Sequence, residues 1–336
     1  MILVTGGTGF VGSHLLFQLS LEYDKIRATY RKQSDLALVR RVFSYYSNQS
    51  ESLFKIIEWV QADINDVSEL EPAFIGVSEV FHCAAFVSFD QKDFSLMRKV
   101  NVEGTSNIAN LCILKSVKKL CFVSSIATLE MIRPNEPITE SNIWTTNKGK
   151  SAYALTKRAA EMEVWRACQE GVECIIVNPG VIIGPGYWNA GTGKIFSKVK
   201  DGLPYYPAGK TGFVGVNDVA KAMITLMKSD IKNESFILIS ENLFIKDLLF
   251  QIADTMKVKR PGKKINSLGM ELGWRLALLK SSLTGKKQEL TKDSARAASG
   301  IKLFSADKLL NSLGFKFKPM NQVIQETSTV FLKNNL

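Results

Sequence analysis

The residues best suited to chemistry lie in the segment SAYALTKRAAEMEVW (151–165). Tyr153 and Lys157 are four positions apart in a run of helix-forming residues, and that spacing places both side chains on one face of a helix. A tyrosine is a weak acid with a pKa of about 10, and a neighbouring ammonium favours the phenolate and lowers that pKa. The pair is therefore a candidate for general acid–base catalysis, although an exposed surface pair has the same spacing.

Small and polar residues stand at the ends of the apolar runs around this segment. KKLCFVSS (118–125) ends with Ser124 and Ser125, HCAA (82–85) ends a second run, and VNVEGT (100–105) carries Asn101 at the start of a helical pattern. The carboxyl ends of parallel strands form the edge of a sheet where ligands bind. We therefore expect a serine hydroxyl at the same edge as Tyr153.

The first stretch of the chain, MILVTGGTGFVGSHLL, indicates which ligand such an edge would hold. Gly6, Gly9 and Gly12 lie between a strand-like run and a helical pattern. In that setting the glycines permit a tight turn, let backbone N–H groups approach a pyrophosphate, and let the helix pack against the strand. The phosphates then lie at the positive N-terminus of the helix. The pattern predicts dinucleotide binding.

The residues after the second and third strands bear on the choice of dinucleotide. An acidic residue about 20 positions after the glycines is typical of NAD binding, but Arg31 and Lys32 stand here, and two cations suit the 2′-phosphate of NADP. Asp35 keeps NAD open, and the two cations would also fit an ordinary surface. At the end of the third strand, Asp63 and Ile64 either contact the adenine or cap the following helix.

These residues need a scaffold, and the hydrophobic pattern predicts an α/β fold with a doubly wound parallel sheet. Apolar runs alternate with helical patterns through the first half, and runs that are apolar throughout are typical of strands covered on both faces. We predict strands at 2–6, 25–30, 54–63, 79–85, 118–125, 172–180 and 234–240, and helices at 10–22, 93–115, 151–170 and 218–230. We interpret residues 34–53 as a helix followed by an exposed loop.

The character of the sequence changes after residue 178, where Gly and Pro become frequent and strands become hard to find. We infer a smaller, mostly helical substrate lobe. The predicted division assigns residues 1–178 and 213–240 to the cofactor domain, and residues 179–212 and 241–336 to the substrate lobe.

Composition narrows the classes of partner. The 336 residues carry a formal net charge of +11, but there is no block of five or six basic residues, so nucleic-acid binding is not expected. Five cysteines without a CxxC pair and only two histidines favour free thiols, a reducing cytoplasm and no metal site. No signal peptide and no membrane partner are expected, although segment 267–287, flanked by basic residues, fits either a membrane-surface helix or a helix packed on its own domain.

The order of the motifs resembles the extended short-chain dehydrogenases/reductases, the NAD(P)-dependent epimerase/dehydratase family. TGGTGFVG, DI (63–64), HCAA, NVEGT, FVSS, YALTK and VNPGVIIGPG follow one another as they do in that family, over roughly residues 1–186. FVGVNDVAKAM (213–223) and LFSADKLLNSLGFKFKP (303–319) are similar to its later segments. Within that family, the motifs of this sequence are most similar to those of dihydroflavonol-reductase-like and hydroxysteroid-dehydrogenase-like members.

The resemblance implies a role for each matching residue. Tyr153 would exchange a proton with the substrate oxygen, Lys157 would hold the cofactor ribose and lower the pKa of that tyrosine, and Ser125, rather than Ser124, would hydrogen-bond the substrate oxygen. Asn101 would position the backbone or a water. The implied cofactor contacts are Gly6, Thr8, Gly9, Phe10, Val11, Gly12, Arg31, Lys32, Asp63, Ile64, Ala84, Ala85, Lys157, Pro179 and Gly180. Extended members are often dimers, so a homodimer is a further expectation.

Residues for a substrate pocket are expected in the irregular segments near the nicotinamide. Aromatic and small polar residues there favour an apolar or moderately polar carbonyl compound. The candidates are Phe86, Ser88, Tyr187 and Trp188. After the serines the sequence reads SSIATLEMI, without the Val-Tyr-Gly of many epimerases and dehydratases or the acidic residues beside a catalytic Thr in dehydratases.

The sequence therefore predicts an NADP-dependent oxidoreductase that reduces a ketone or aldehyde, or oxidises the alcohol, on a mid-sized organic molecule. One alternative is a sugar-nucleotide epimerase with tightly bound NAD. The other is a catalytically idle dinucleotide-binding protein, because a fold does not by itself fix a function.

Overall fold

The computed structural model of the protein describes residues 1–134, 136–144, 146–284, 288 and 290–334. The strands in these residues are β1 (Ile2–Thr5), β2 (Ile26–Tyr30), β3 (Ile57–Gln61), β4 (Glu79–His82), β5 (Lys119–Val123), β6 (Glu173–Pro179), β7 (Val181–Ile183), β8 (Tyr205–Pro207), β9 (Lys210–Gly215), β10 (Glu234–Leu238), β11 (Glu241–Phe244) and β12 (Lys263–Ile265).

Helices connect these strands and cover both faces of the main sheet. They are α1 (Phe10–Ser20), α2 (Leu36–Ser44), α3 (Ser50–Lys55), α4 (Val67–Leu70), α5 (Phe94–Arg98), α6 (Gly104–Leu114), α7 (Ala152–Gln169), α8 (Gly193–Lys200), α9 (Val216–Lys228), α10 (Ile245–Met256), α11 (Ser267–Thr284), α12 (Lys292–Ser299), α13 (Asp307–Leu313) and α14 (Met320–Asn334).

The main sheet is doubly wound, as the sequence predicts. Its seven strands, among the described residues, are all parallel and lie in the order β10-β6-β5-β4-β1-β2-β3. Neighbouring residues of one strand enter opposite cores, since side chains alternate along a strand. Val4 and Phe81 pack beneath α1, α2 and α9, whereas Leu3 and Val80 pack beneath α4, α6 and α7.

The chain leaves this sheet at Pro179 and builds a second region. There β11, β9 and β7 form a small mixed sheet, and β8 pairs with β12. The turn at Gly180 requires glycine, because a Cβ at this position would lie 2.4 Å from the carbonyl oxygen of Gly212. Helices α8, α10 and α14 supply the apolar core of this region.

The structure corrects several of the predicted elements. Phe54 and Lys55 end α3 rather than beginning a strand, because the Phe54 ring packs edge-on against Phe43 and tilted on Trp59. Helix α3 therefore occupies part of the predicted exposed loop. The described residues also form five strands outside the main sheet that were not predicted: β7, β8, β9 and β12 lie in or next to Gly- and Pro-containing segments, whereas β11 follows β10 directly. Leu309 and Phe315, assigned to the substrate lobe, pack in a core of the main sheet.

Among the described residues, no helix has the length and apolar character needed to cross a membrane. All five cysteines are free.

Candidate functional site

The glycine-rich loop joins β1 to α1 and has the geometry of a phosphate-binding turn. Gly6 has a φ of +70°, and its carbonyl accepts from the Gly9 N–H at 2.9 Å. A Cβ at Gly12 would lie 2.2 Å from that same carbonyl oxygen, so only glycine lets the helix approach the strand so closely. Gly9 is the N-cap of α1 and offers no side-chain acceptor, so the N–H groups of the first turn, around Phe10 and Val11, suit an anion. The loop fits the pyrophosphate of a dinucleotide.

The second region holds this loop in place. Tyr187 donates from its hydroxyl to the carbonyl oxygen of Thr8 at 2.6 Å, and its ring meets Phe10 edge-on at 5.6 Å. One turn further into α1, His14 contacts the Pro185 carbonyl at 3.1 Å. Burial lowers the pKa of His14 to about 4, so this histidine is neutral at physiological pH. The structure thus places Tyr187 against the glycine-rich loop, and its predicted contact with substrate stays a prediction.

The end of β2 presents two exposed cations. Arg31 and Lys32 are solvent-accessible, and in the part of the chain that the structure describes neither forms an ion pair. The Arg31 N–H donates to the Ser34 hydroxyl, which also accepts from the Thr8 hydroxyl, so this turn is tied to the glycine loop. Asp35 accepts from the Leu38 N–H at 3.1 Å as the N-cap of α2.

The residues after β3 are already engaged in local structure. Asp63 accepts from the N–H of Asn65 at 2.9 Å. The helix that follows is capped by Asp66, so the proposal that Asp63 caps it is wrong. Ile64 is buried against Gly104, where an added Cβ would lie 2.5 Å from the isoleucine Cδ1. Its side chain therefore packs chiefly on α6.

Helix α7 and the end of β5 bring the predicted catalytic residues together. Ser151 caps the helix by accepting from the Ala154 N–H, which fixes Tyr153 in the first turn. Burial raises the pKa of Tyr153, and a hydrogen-bonding interaction with the Ser125 hydroxyl opposes that rise in part. The net direction is upward, and the lowering of this pKa by Lys157 stays a prediction.

Lys157 lies one helical turn further on and is only 2% exposed. Its Nζ donates to the Val123 carbonyl at 2.7 Å and lies 4.2 Å from the centre of the Phe122 ring. Burial lowers the pKa of this lysine to about 7, although Glu161 opposes the shift. The amine is thus fixed beneath the carboxyl end of β5 and is easily deprotonated.

Glu161, which the sequence analysis missed, organises the buried side of the site. Its carboxylate accepts from Ser124 at 2.6 Å, from Thr128 at 2.8 Å and from the Asn178 amide at 2.8 Å. Ser124 is committed to this network, so of the two serines it is Ser125 that faces Tyr153. The sequence did contain an indication, because position 161 continues the four-residue spacing of 153 and 157 on one helical face.

Asn101 joins the loop after β4 to the catalytic helix. It lies in a π-helical turn (Lys99–Glu103) between α5 and α6, a departure from regular helix that is frequent at functional sites. Its side chain accepts from the Phe86 N–H at 2.7 Å and donates to the Phe86 carbonyl at 3.0 Å and to Thr156 at 3.1 Å. The structure places Asn101 as a buried anchor of the backbone.

The ends of β4 and β6 border the same edge. The backbone of Ala84 lies 2.6 Å from where a Gly6 Cβ would stand, so HCAA, with Ala84 and Ala85, runs directly beside the glycine loop. Pro179 ends β6, and the Gly180 N–H donates to the Leu238 carbonyl. Ala84 thus lies beside the glycine loop and Pro179 ends the strand that pairs with β5, and the contacts of these residues with a cofactor stay a prediction.

The predicted pocket residues divide into two groups. Phe86 borders the site through its anchored backbone, whereas buried Ser88 donates to Asp93 at 2.6 Å. Trp188 packs edge-on against Phe331 at 5.0 Å in the core of the second region, not at the site. Phe89 was missed: its exposed ring lies 6.3 Å from that of Tyr153. The exposed apolar side of the site is thus formed by the loop after β4.

Comparisons with known proteins agree with this geometry. The profile of the NAD dependent epimerase/dehydratase family matches residues 2–238. A putative dihydroflavonol 4-reductase of Synechocystis sp. is 26% identical over 96% of this chain and 92% of its own. A UDP-glucose 4-epimerase of Vibrio cholerae is 30% identical over 67% of this chain and 65% of its own. The solved Thermus thermophilus UDP-glucose 4-epimerase complex with NAD shares the fold, with a TM-score of 0.75 and 21% identity over 98% of both chains.

Proposed function

The chain belongs to the NAD dependent epimerase/dehydratase family, and within it we propose an NADP-dependent reductase that converts a ketone or aldehyde of a mid-sized organic molecule to the alcohol. One observation carries the proposal: Ser125 faces Tyr153 at the edge of the sheet, with buried Lys157 one turn further along α7. The similarity to a putative dihydroflavonol 4-reductase over nearly the whole chain supports the reductase assignment.

The residues that would hold NADP lie along one edge of the sheet. The glycine loop would take the pyrophosphate, Lys157 the nicotinamide ribose, and Arg31 with Lys32 the 2′-phosphate. Two exposed cations at the end of β2 suit a phosphate, and Asp35, the acid nearby, is engaged in capping α2. When bound, the cofactor would supply hydride to the carbonyl carbon.

The protein's own residues would manage the proton and the developing charge. Burial raises the pKa of Tyr153, so its phenol carries a proton at neutral pH and can donate it to the oxygen as the carbonyl is reduced. Ser125 would hydrogen-bond the same oxygen and favour the alkoxide-like charge. Asn101 and Thr156 would keep the loop after β4 at a fixed distance from α7. A tyrosine that holds its proton at neutral pH is ready to act as the acid in the reduction step.

The substrate side favours an apolar or moderately polar carbonyl compound. Phe86 and Phe89 border the site, and Val87 and Phe89 of the same loop are exposed. Ligand pockets of this kind are mostly apolar with few polar groups. Epimerisation is the second candidate, because the Vibrio cholerae UDP-glucose 4-epimerase is 30% identical over 67% of this chain.

Replacement of Tyr153 tests the chemistry. Y153F should bind NADPH as the wild type does, whereas NADPH oxidation with any accepted ketone or aldehyde should fall by about 10²- to 10⁴-fold, the usual contribution of a general acid. Y23F is the matched control, because Tyr23 lies three residues beyond the C-terminal end of α1, away from the glycine loop, and it should keep full turnover. Undiminished turnover in Y153F would remove this tyrosine from the mechanism.

The state of the purified wild type separates the candidates. A reductase binds NADPH reversibly and oxidises it in the presence of a carbonyl compound. Tightly bound NAD and interconversion of UDP-sugars without net NADPH oxidation would establish the epimerase. Reversible NADPH binding with neither activity across both substrate panels would favour the idle dinucleotide-binding protein. Cytoplasmic location and a homodimer stay predictions.

A further inference from the structure

Helix α11 carries a row of leucines that its own domain does not cover. Leu268, Leu272, Leu276, Leu279 and Leu283 are each between 60% and 87% exposed. At about 100° per residue they fall within an arc of about 80° on one side of the helix. Five large apolar side chains in a row over four turns are unusual on a protein surface and indicate an interaction site. We call this row the leucine stripe.

The opposite side of α11 is attached to the protein. Met270 is buried, and a Cβ added at Gly273 would lie 3.3 Å from the Cδ2 atom of Leu290. The carbonyl of Trp274 accepts from the side chain of Gln288 at 3.1 Å, which ties α11 to the segment leading to α12. One face of α11 is therefore held by its own domain while the leucine stripe faces outward.

The surroundings of the leucine stripe are strongly basic. Between residues 257 and 292 the sequence carries ten Lys or Arg residues and two Glu residues, which accounts for most of the net charge of +11. Lys263 and Lys264 are exposed on β12 just before the helix. Arg275, which is paired with Glu271 at 2.7 Å, and Lys280 flank the stripe on its two sides, about 60° and 80° from its centre. Apolar side chains thus project between cationic ones.

We propose that α11 binds an anionic membrane surface, with the leucine stripe inserted at the boundary between headgroups and acyl chains. A surface helix with an exposed apolar row and flanking lysines and arginines is suited to that environment, and basic residues near anionic lipids add electrostatic attraction. A second copy of this chain is disfavoured as the occupant, because two strongly basic surfaces would face each other. This proposal departs from the expectation that the protein has no membrane partner.

Membrane contact at α11 would reach the site through α12. Arg296 on α12 donates to the carbonyl of Gly149 at 3.0 Å, two residues before Ser151 caps the catalytic helix. The hairpin of α11 and α12 is therefore fastened to the segment that leads into Tyr153. An attached protein would hold this segment close to the lipid surface.

Sedimentation with lipid vesicles tests the proposal. The full chain is mixed with vesicles of phosphatidylcholine alone, or of phosphatidylcholine with 30% phosphatidylglycerol, at low and high salt. We expect the wild type to partition at least tenfold more strongly onto the anionic vesicles and to be released by salt. L272E/L276E should lose at least tenfold in this partitioning while its NADPH binding and circular dichroism stay unchanged.

The control must match both exposure and charge. L21E/L114E replaces two leucines that are 59% and 69% exposed, directly after α1 and at the end of α6. It changes the net charge equally, so its partitioning should stay within twofold of the wild type. Equal losses in both double variants, or equal partitioning onto both kinds of vesicle, would overturn the proposal. So would a wild type that sediments as a dimer and becomes monomeric in L272E/L276E without lipid, because the stripe would then join two copies.

Discussion

Replacement of Lys157 by methionine should make the protein more stable while abolishing its activity. The lysine amine is buried, and burial lowers its pKa to about 7, whereas a lysine in the unfolded chain has a pKa of about 10.4. Burying the charged amine of Lys157 at or below pH 7 therefore lowers the free energy of unfolding by roughly 5 kcal/mol. Methionine has a similar volume and removes that cost. It also leaves the Val123 carbonyl without its partner, which costs about 1–3 kcal/mol.

The net expectation is that K157M gains about 2–4 kcal/mol in free energy of unfolding at pH 7. The gain depends on pH in a defined direction. Above pH 7 the folded lysine has lost its proton while the unfolded lysine keeps it, so folding of the wild type releases a proton and becomes more favourable as pH rises. The advantage of the variant should shrink by about 1.4 kcal/mol for each pH unit between pH 7 and 10.

Urea unfolding at pH 7, 8 and 9, followed by circular dichroism, measures this difference. Other groups titrate alike in both proteins and cancel when the two curves are subtracted. K232M, which removes an exposed lysine paired with Glu173, is the control, and its free energy of unfolding should change with pH as that of the wild type does. If K157M also ran parallel to the wild type, Lys157 would not be a lysine with a strongly lowered pKa, and the reasoning would fail.

Two further predictions concern cofactor binding. R31A should weaken NADPH binding about 10- to 100-fold, because it loses a charge-assisted contact, and it should change NADH binding less than twofold. Fluorescence titrations with both cofactors measure the two affinities, and K232A is the control. Equal losses for both cofactors would show that the 2′-phosphate is bound elsewhere. Y187F removes the hydrogen bond to Thr8 and should weaken NADPH binding about fivefold. The control Y206F, which alters a tyrosine of β8 packed on Phe250, should leave the affinity unchanged, and an unchanged affinity in Y187F would mean that the loop keeps its shape without this bond.

The features that could be predicted from the sequence are those in which residue type and backbone geometry coincide. Only glycine fits at position 12, because a Cβ there would lie 2.2 Å from the Gly6 carbonyl oxygen. The glycine spacing therefore identifies the loop. Tyr153 and Lys157 share a helical face at any position in the fold. The apolar runs of the main sheet reveal a doubly wound core, because strands covered on both faces contain few polar residues.

The remaining features depend on contacts between distant segments. The three-residue strands β7 and β8 depend on their pairing with β9 and β12. A run of three residues is too short to show the periodicity from which a strand could be predicted. Tyr187 looks like a pocket aromatic until its hydroxyl is seen to reach Thr8, 179 positions earlier. Trp188, its neighbour in sequence, enters the core of the second region because α14 presents Phe331 to it.

The bonds of Asn101 also bear on how substrate preference can be altered. Both backbone groups of Phe86 are bound to this one amide, which is bound in turn to Thr156 on the catalytic helix. Main-chain shifts that would resize the entrance are thereby resisted. Changes in substrate preference must therefore come from side chains of this loop, and Val87 and Phe89 are the exposed ones. A mutagenesis library aimed at new substrates would be best concentrated on those two positions, with residue 101 left untouched.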